Sequence, residues 1–181
     1  MQSFFGRRAR HRPIDAVVAE LADLKDGARL FFFVDDNFAA DPGFAAKLAE
    51  AIAPLGIRWV TQMSITAAHD EALLALLRRA GCRGVLIGFE SLEPTVLRAM
   101  GKSFNTMKGG YGAALAKLRR HDIRVYGTFV FGYGETRPEM FAEAAQFAID
   151  HRFYIAAFNH LTPFPGTPLY AQLAQERRLL Y

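Results

Sequence analysis

The stretch "LFFFVDDNF", Leu30 to Phe38, decides how the chain is read. Leu30, Phe31, Phe32, Phe33 and Val34 run on without a polar partner between them. Such a run is short for a helix and does not alternate like a half-exposed strand. It reads as a strand covered on both faces, which is the habit of parallel sheets. The run then stops at Asp35, Asp36 and Asn37. In parallel α/β folds, the carboxyl ends of the strands carry the binding chemistry. The plainer alternative is a turn, since Asp and Asn favour turns.

The same pattern recurs outward from this stretch. Apolar runs start at residues 29, 57, 83, 123 and 154: "RLFFFV", "IRWVTQMSI", "RGVLIGF", "IRVYGTFVFG" and "YIAAFNHL". Helical patterns lie before and between them, over residues 14–24, 43–54, 70–80, 106–120 and 137–150. Asp41-Pro42 is a cap followed by a first-turn proline, and Gly81 is a helix stop. Gly109, Gly110 and Gly112 leave the start of the fourth helix open. Strand and helix alternating at this spacing predict an α/β fold with parallel strands and outer helices. No Gly-rich dinucleotide fingerprint follows the first run, which argues against a nucleotide-binding wound sheet. Five runs are too few for a complete eight-fold barrel. Proline- or serine-rich linkers are absent, so residues 1–181 read as one domain.

Composition narrows the function classes. Hydrophobic residues make up 51% and charged residues 22%, which is globular rather than disordered. The net charge of +4 owes much to Arg7, Arg8, Arg10 and Arg12, a basic arm over residues 1–13. The arm reads as solvated, and no nucleic-acid partner is expected. A single cysteine, Cys82, allows no disulfide within the chain and cannot alone hold zinc or an iron–sulfur cluster. Its position at a helix–strand junction suits a small buried residue. No apolar stretch is long enough to span a bilayer, and the start lacks a signal-peptide core, so a cytoplasmic location is expected.

Each strand run hands over to hydrogen-bonding groups at the same end. These are Asp35, Asp36 and Asn37; Gln62 and Ser64; Glu90 and Ser91; Gly132 through Glu135; and Asn159 with His160. Parallel strands would gather them at one basin. Carboxylates there suit an ammonium group, sugar hydroxyls or a metal ion. Gln62 and Ser64 read equally well as packing groups. Ser91 reads as the cap of the helix that begins near Glu93-Pro94, leaving Glu90 to face the basin. Lys102 reads as a solvated loop lysine or a clamp for a carboxylate. "TPFPGTPLY" reads as a stiffened turn or a wall of the ligand site.

Six segments together carry a resemblance: "FFGRRARHRP", "LFFFVDDNF", "WVTQMS", "AGCRGVLIGFESLEPTVLRAMGKSFN", "GTFVFGYGET" and "LTPFPGTPLY". In order and spacing the chain resembles the radical S-adenosylmethionine (SAM) superfamily, and within it the cobalamin-associated, hopanoid-methylase-like branch. The resemblance implies a partial (β/α)6 TIM-like barrel with SAM across the carboxyl ends of the strands. It implies a 4Fe-4S cluster that cleaves SAM to a 5′-deoxyadenosyl radical, for methylation or oxidoreduction of an unknown substrate. Carried over by residue, Asp35, Asp36 and Asn37 meet the methionyl amino group. Glu90 and Ser91 hold the ribose or the amino-acid part, and Lys102 meets the carboxylate. Gly127, Val130 and Gly132 lie against adenine, and Asn159 with Pro163, Pro165 and Gly166 lines the far side.

One departure is large. The family's CxxxCxxC cluster loop is not in this sequence. The expectation is therefore a core fragment lacking the barrel's first strand and any cobalamin domain, with residues 164–181 as a C-terminal extension. Such a fragment would be inactive alone. Two other readings stand beside it. One is a barrel enzyme using Asp35, Asp36 and Glu90 as ligands for a divalent metal. The other is a non-catalytic half of a split protein, docking through "FFGRRARHR" onto a polypeptide that supplies the missing strand and cysteines.

Overall fold

The computed structural model describes residues 10–101, 110–133 and 137–179, with no side-chain description of Ala99. Expectations for Arg7, Arg8, Lys102, Gly134 and Glu135 fall outside those residues.

The helical stripe of Ile14, Val17, Val18 and Leu21 forms α1 (Ile14–Leu24), which packs against the core. The opening apolar run becomes β1 (Phe31–Phe33). Then follow α2 (Pro42–Ile52), β2 (Trp59–Gln62), α3 (Glu71–Arg79), β3 (Cys82–Glu90), α4 (Pro94–Ala99), α5 (Gly110–Arg120), β4 (Arg124–Phe131), α6 (Glu139–Asp150), β5 (Ile155–His160) and α7 (Pro168–Gln175). The five strands lie in the order β1-β2-β3-β4-β5, and every neighbouring pair is parallel. Crossover helices and sequential order give the part-barrel layout that the sequence predicts.

Local chemistry sets the boundaries. The Asp41 carboxylate accepts the Phe44 N–H at 3.0 Å with Pro42 in the first turn, and Asp70 caps α3 through the Leu73 N–H at 2.9 Å. Gly81 ends α3 at φ 96°, and a Cβ there would sit 1.9 Å from the Ile57 carbonyl oxygen, so neither the turn nor the space admits a side chain. The carbonyl of Ala80 accepts the buried Trp59 indole N–H at 2.8 Å, pinning β2 beneath α3.

The core lies between sheet and helices. Trp59, Ile87, Phe89 and Phe129 from the strands meet Ile52, Leu74, Leu77 and Leu118 from the helices, all nearly inaccessible to solvent. The opposite sheet face differs from expectation. Phe32 is 54% exposed and Val34 75% exposed, so these strands are covered by helices on one face only. The reason is curvature: the second face lines the concave side of the part-barrel, which holds a cavity instead of a second helix layer. Among the described residues no strand pairs with the outer edge of β1.

The described part of the basic arm folds back on the chain. The His11 ring stacks on Phe44 with centroids 4.0 Å apart, and Arg12 pairs with Glu20 at 2.6 Å.

Candidate functional site at the carboxyl ends of the strands

Parallel pairing throughout the sheet places the ends of β1 to β5 at one rim. Asp35 and Asp36 follow β1 there and are exposed. Asn37 works locally. Its Oδ1 accepts the Ser64 N–H at 3.0 Å, while the Phe38 N–H donates to the Gln62 carbonyl at 2.9 Å. The amide thus ties the acidic loop to the end of β2, and it holds the two carboxylates at the rim. Thr61 strengthens the same junction by donating to the Phe33 carbonyl at 3.0 Å. Ser64 in turn caps a short 3-10 helix, Ile65–His69, accepting the Thr66 N–H. Gln62 is the last residue of β2 and half-buried.

At the end of β3 the backbone departs from a regular strand. Pairing with β4 shifts register between Gly88 and Glu90, and Glu90 takes a φ of 66°. A non-glycine residue in this region carries strain that the surroundings must hold. Here the Ser91 N–H donates to the Phe89 carbonyl at 2.8 Å, and the Tyr111 hydroxyl lies 2.9 Å from that same oxygen and 3.2 Å from the Ser91 carbonyl. A hydroxyl from α5 therefore braces the turn that presents Glu90 at the rim.

Ser91 departs from its expected role. It is buried, and its Oγ accepts the Glu93 N–H at 3.0 Å within the turn. The helix α4 begins two residues later, with Glu93 at the cap position, no side-chain cap and Pro94 in the first turn. Pro94 disfavours a helical Glu93, which delays the start past Ser91.

On β4 the two faces separate cleanly. Val125, Gly127, Phe129 and Phe131 are buried toward the helices, whereas Tyr126, Thr128 and Val130 share the concave face. Val130 therefore fits its expected place near the rim. Gly127 does not: a Cβ on it would meet the Phe153 ring 2.1 Å away, so its missing side chain accommodates Phe153 on the helix side. The residue that belongs with Val130 is Thr128, missed in the sequence though two-residue periodicity from Val130 points to it. Gly132 follows β4 at φ 101° against Leu161. Asn159 is exposed on β5 and donates to the Phe129 carbonyl at 3.4 Å. In "TPFPGTPLY", Thr167 caps α7 through the Tyr170 N–H at 3.3 Å with Pro168 in the first turn.

Cys82 opens β3, at the end away from this rim, and is fully buried. Burial pushes its thiol up to about 12. One buried, protonated thiol at the far pole cannot supply the several thiolates that hold a four-iron cluster, so the residues present do not fit that group. Nor do the rim carboxylates form a metal nest: no three His, Cys, Asp or Glu side chains among the described residues are grouped to hold an ion. What the rim offers is carboxylates, an amide and hydroxyls beside an apolar concave wall. Carboxylates suit an ammonium or a ribose diol, and Val130 suits a planar base. These residues fit SAM.

A parallel part-barrel whose polar groups gather at the carboxyl-end rim is the layout of a barrel-type cofactor-binding domain. Residues 1–148 match the family model described as the radical SAM superfamily, and the chain belongs to that superfamily. It is 33% identical over 178 residues to the bacteriochlorophyllide d C-12(1)-methyltransferase of Chlorobaculum tepidum, covering 96% of this chain and 39% of that protein. It is 26% identical to the hopanoid C-2 methylase of Rhodopseudomonas palustris, over 98% of this chain and 35% of that one. Among solved structures, the radical S-adenosylmethionine methyltransferase TsrM of Kitasatospora setae superposes with a TM-score of 0.74 at 23% identity, covering 92% of this chain and 34% of TsrM. That likeness confirms the fold. The chain thus spans less than two fifths of each of these proteins' lengths.

Proposed function

We propose that the carboxyl-end rim binds S-adenosylmethionine as part of a methyl-transferring radical SAM enzyme. Asp36, with Asp35 beside it, receives the methionyl ammonium. Glu90 receives the ribose hydroxyls, and Val130 with Thr128 backs the adenine. Gln62, Gly132 and Asn159 complete the wall. Asn37 and Ser91 act through the backbone, the first tying the acidic loop and the second closing the turn after Glu90. Lys102 is assigned to the SAM carboxylate on the resemblance alone. The superfamily's chemistry is reductive cleavage of SAM by a four-iron cluster. In this reading its thiolates come from outside these 181 residues, whether from further chain or from a partner polypeptide. Among the described residues no strand pairs with the outer edge of β1, which leaves room for an added strand. The two named methyltransferases among the relatives favour methyl transfer. A cobalamin site would lie in a further domain.

The observation that carries this reading is the convergence of Asp36 and Glu90 on one rim, with Glu90 held at a strained φ of 66°. Equilibrium dialysis with radiolabelled SAM and with 5′-methylthioadenosine, which lacks the ammonium, provides the test. Asp36→Asn should weaken SAM about tenfold, the size of one charge-assisted contact, and leave methylthioadenosine unchanged. Glu90→Gln should weaken both. Folded chain that retains no SAM, or variants that bind like the parent, would overturn the assignment. Reconstitution of these 181 residues with iron and sulfide should give no reducible four-iron signal by electron paramagnetic resonance. Such a signal would contradict an outside source of thiolates.

A further inference from the structure

The pole opposite the rim carries a second constellation. Arg29 and Arg58 stand just before β1 and β2, Arg83 is the second residue of β3, and Arg124 is the first of β4. The parallel pairing that gathers the rim carboxylates also gathers these four guanidinium groups at the amino ends of the strands. All four line one cavity of about 740 Å³, inside the range of roughly 300–1,000 Å³ typical of small-molecule sites. Its deeper wall is apolar, formed by Phe32, Val60, Leu86 and Tyr126 from the concave face of the sheet.

Charge in this cavity is unbalanced. The carboxylate that lines it, Asp122, is paired at 2.6 Å with Arg78, outside the cavity. None of the four arginines has an ion pair among the described residues. Arg124 rests over the Tyr154 ring, 4.8 Å from its centroid. The Nε of Arg83 is buried with no hydrogen-bond partner among the described residues. A buried donor left unpaired costs free energy, so Arg83, with the exposed Arg29, Arg58 and Arg124 lining the same cavity, calls for an acceptor that the described residues do not provide.

We infer that this amino-end cavity is a binding site for a small amphiphilic acid: an apolar body against Phe32, Val60, Leu86 and Tyr126, and a carboxylate or phosphate head among Arg29, Arg58, Arg83 and Arg124. Guanidinium forks match the planar carboxylate, and the apolar wall excludes a bare inorganic anion as the best-fitting occupant. The site stands independently of SAM binding at the other pole.

Laurate and dodecanol, equal in chain length and different in charge, test the inference by calorimetric titration of the full chain. Laurate should bind and dodecanol should bind at least about tenfold more weakly, the effect of one charge-assisted contact. Arg29→Gln and Arg58→Gln change exposed side chains and should each weaken laurate several-fold with circular dichroism unchanged. Arg83→Met should remove most of the affinity. Equal binding of the two probes, variants that bind laurate like the parent, or capture of a poly-glutamate peptide in preference to laurate would each overturn the proposal.

Discussion

The ring of Phe153 occupies the space that a side chain on Gly127 would need: a Cβ there would lie 2.1 Å from Cε2 of the ring. Phe153 in turn joins an aromatic cluster with Phe89, Phe129 and Phe147, with ring centroids 5.0 to 6.3 Å apart. The central glycine of β4 is therefore a packing residue of the helix side.

Gly127→Ala should accordingly cost about 1–3 kcal/mol by overpacking, read as a lowered urea midpoint. The Gly127→Ala/Phe153→Leu double variant should lose less than the sum of the two single changes, because the smaller side chain vacates the space. SAM retention by folded Gly127→Ala should match the parent. A selective loss of SAM would restore Gly127 to the rim.

Glu90 separates stability from binding. Its φ of 66° suits glycine better than glutamate. Glu90→Gly relieves a backbone strain of about 1 kcal/mol, set against whatever the carboxylate contributes, and it should weaken SAM retention in the same preparation. Stability and binding falling together would mean that the carboxylate holds the turn instead of the ligand.

Cys82 should be inert. Its thiol is pushed up to about 12 by burial and lies 3.6 Å from the Gly84 carbonyl. Native chain at about pH 8 should react with Ellman's reagent only at the rate of unfolding, and at once in denaturant. Fast reaction of the folded chain would show that β3 opens at its amino end.

His151 gives the pH dependence a sign. Partial burial and the Arg119 charge hold its imidazole below the ordinary 6.5, with Asp150 acting the other way. The folded chain thus binds this proton more weakly than the unfolded chain. The contribution is fully present above pH 6.5 and is lost as pH falls from there through the lower midpoint of the folded chain, because the unfolded state takes up the proton first. A nuclear magnetic resonance titration should place the His151 midpoint below 6.5, and Arg119→Gln should move it upward. A midpoint above 6.5 would reverse the sign.

The strand–helix rhythm is legible because mainly apolar runs recur at regular spacing between helical patterns, with Asp41-Pro42 and Gly81 marking helix ends. The common direction of the strands followed from the same runs, and with it the placing of Asp35, Asp36 and Glu90 at one end. Which face each residue occupies was a different matter. The family resemblance groups Gly127 with Val130, but they are three residues apart on one strand and so face opposite ways; the residue that shares Val130's face is Thr128. Ser91 before Glu93-Pro94 has the local pattern of a cap; what the sequence does not show is the brace from Tyr111 on a distant helix, which holds the turn after β3.

Direction along each strand is thus a property of the sequence, because hydrophobic runs and their stops are local. Two-residue periodicity says which residues of a strand share a face; only the tertiary structure says which face is covered by helices. That depends on register, on the shift between Gly88 and Glu90, and on which ring fills which gap. The gathering of Arg29, Arg58, Arg83 and Arg124 needed both: the parallel order brings them to one pole, and the tertiary structure forms there the one cavity that all four line.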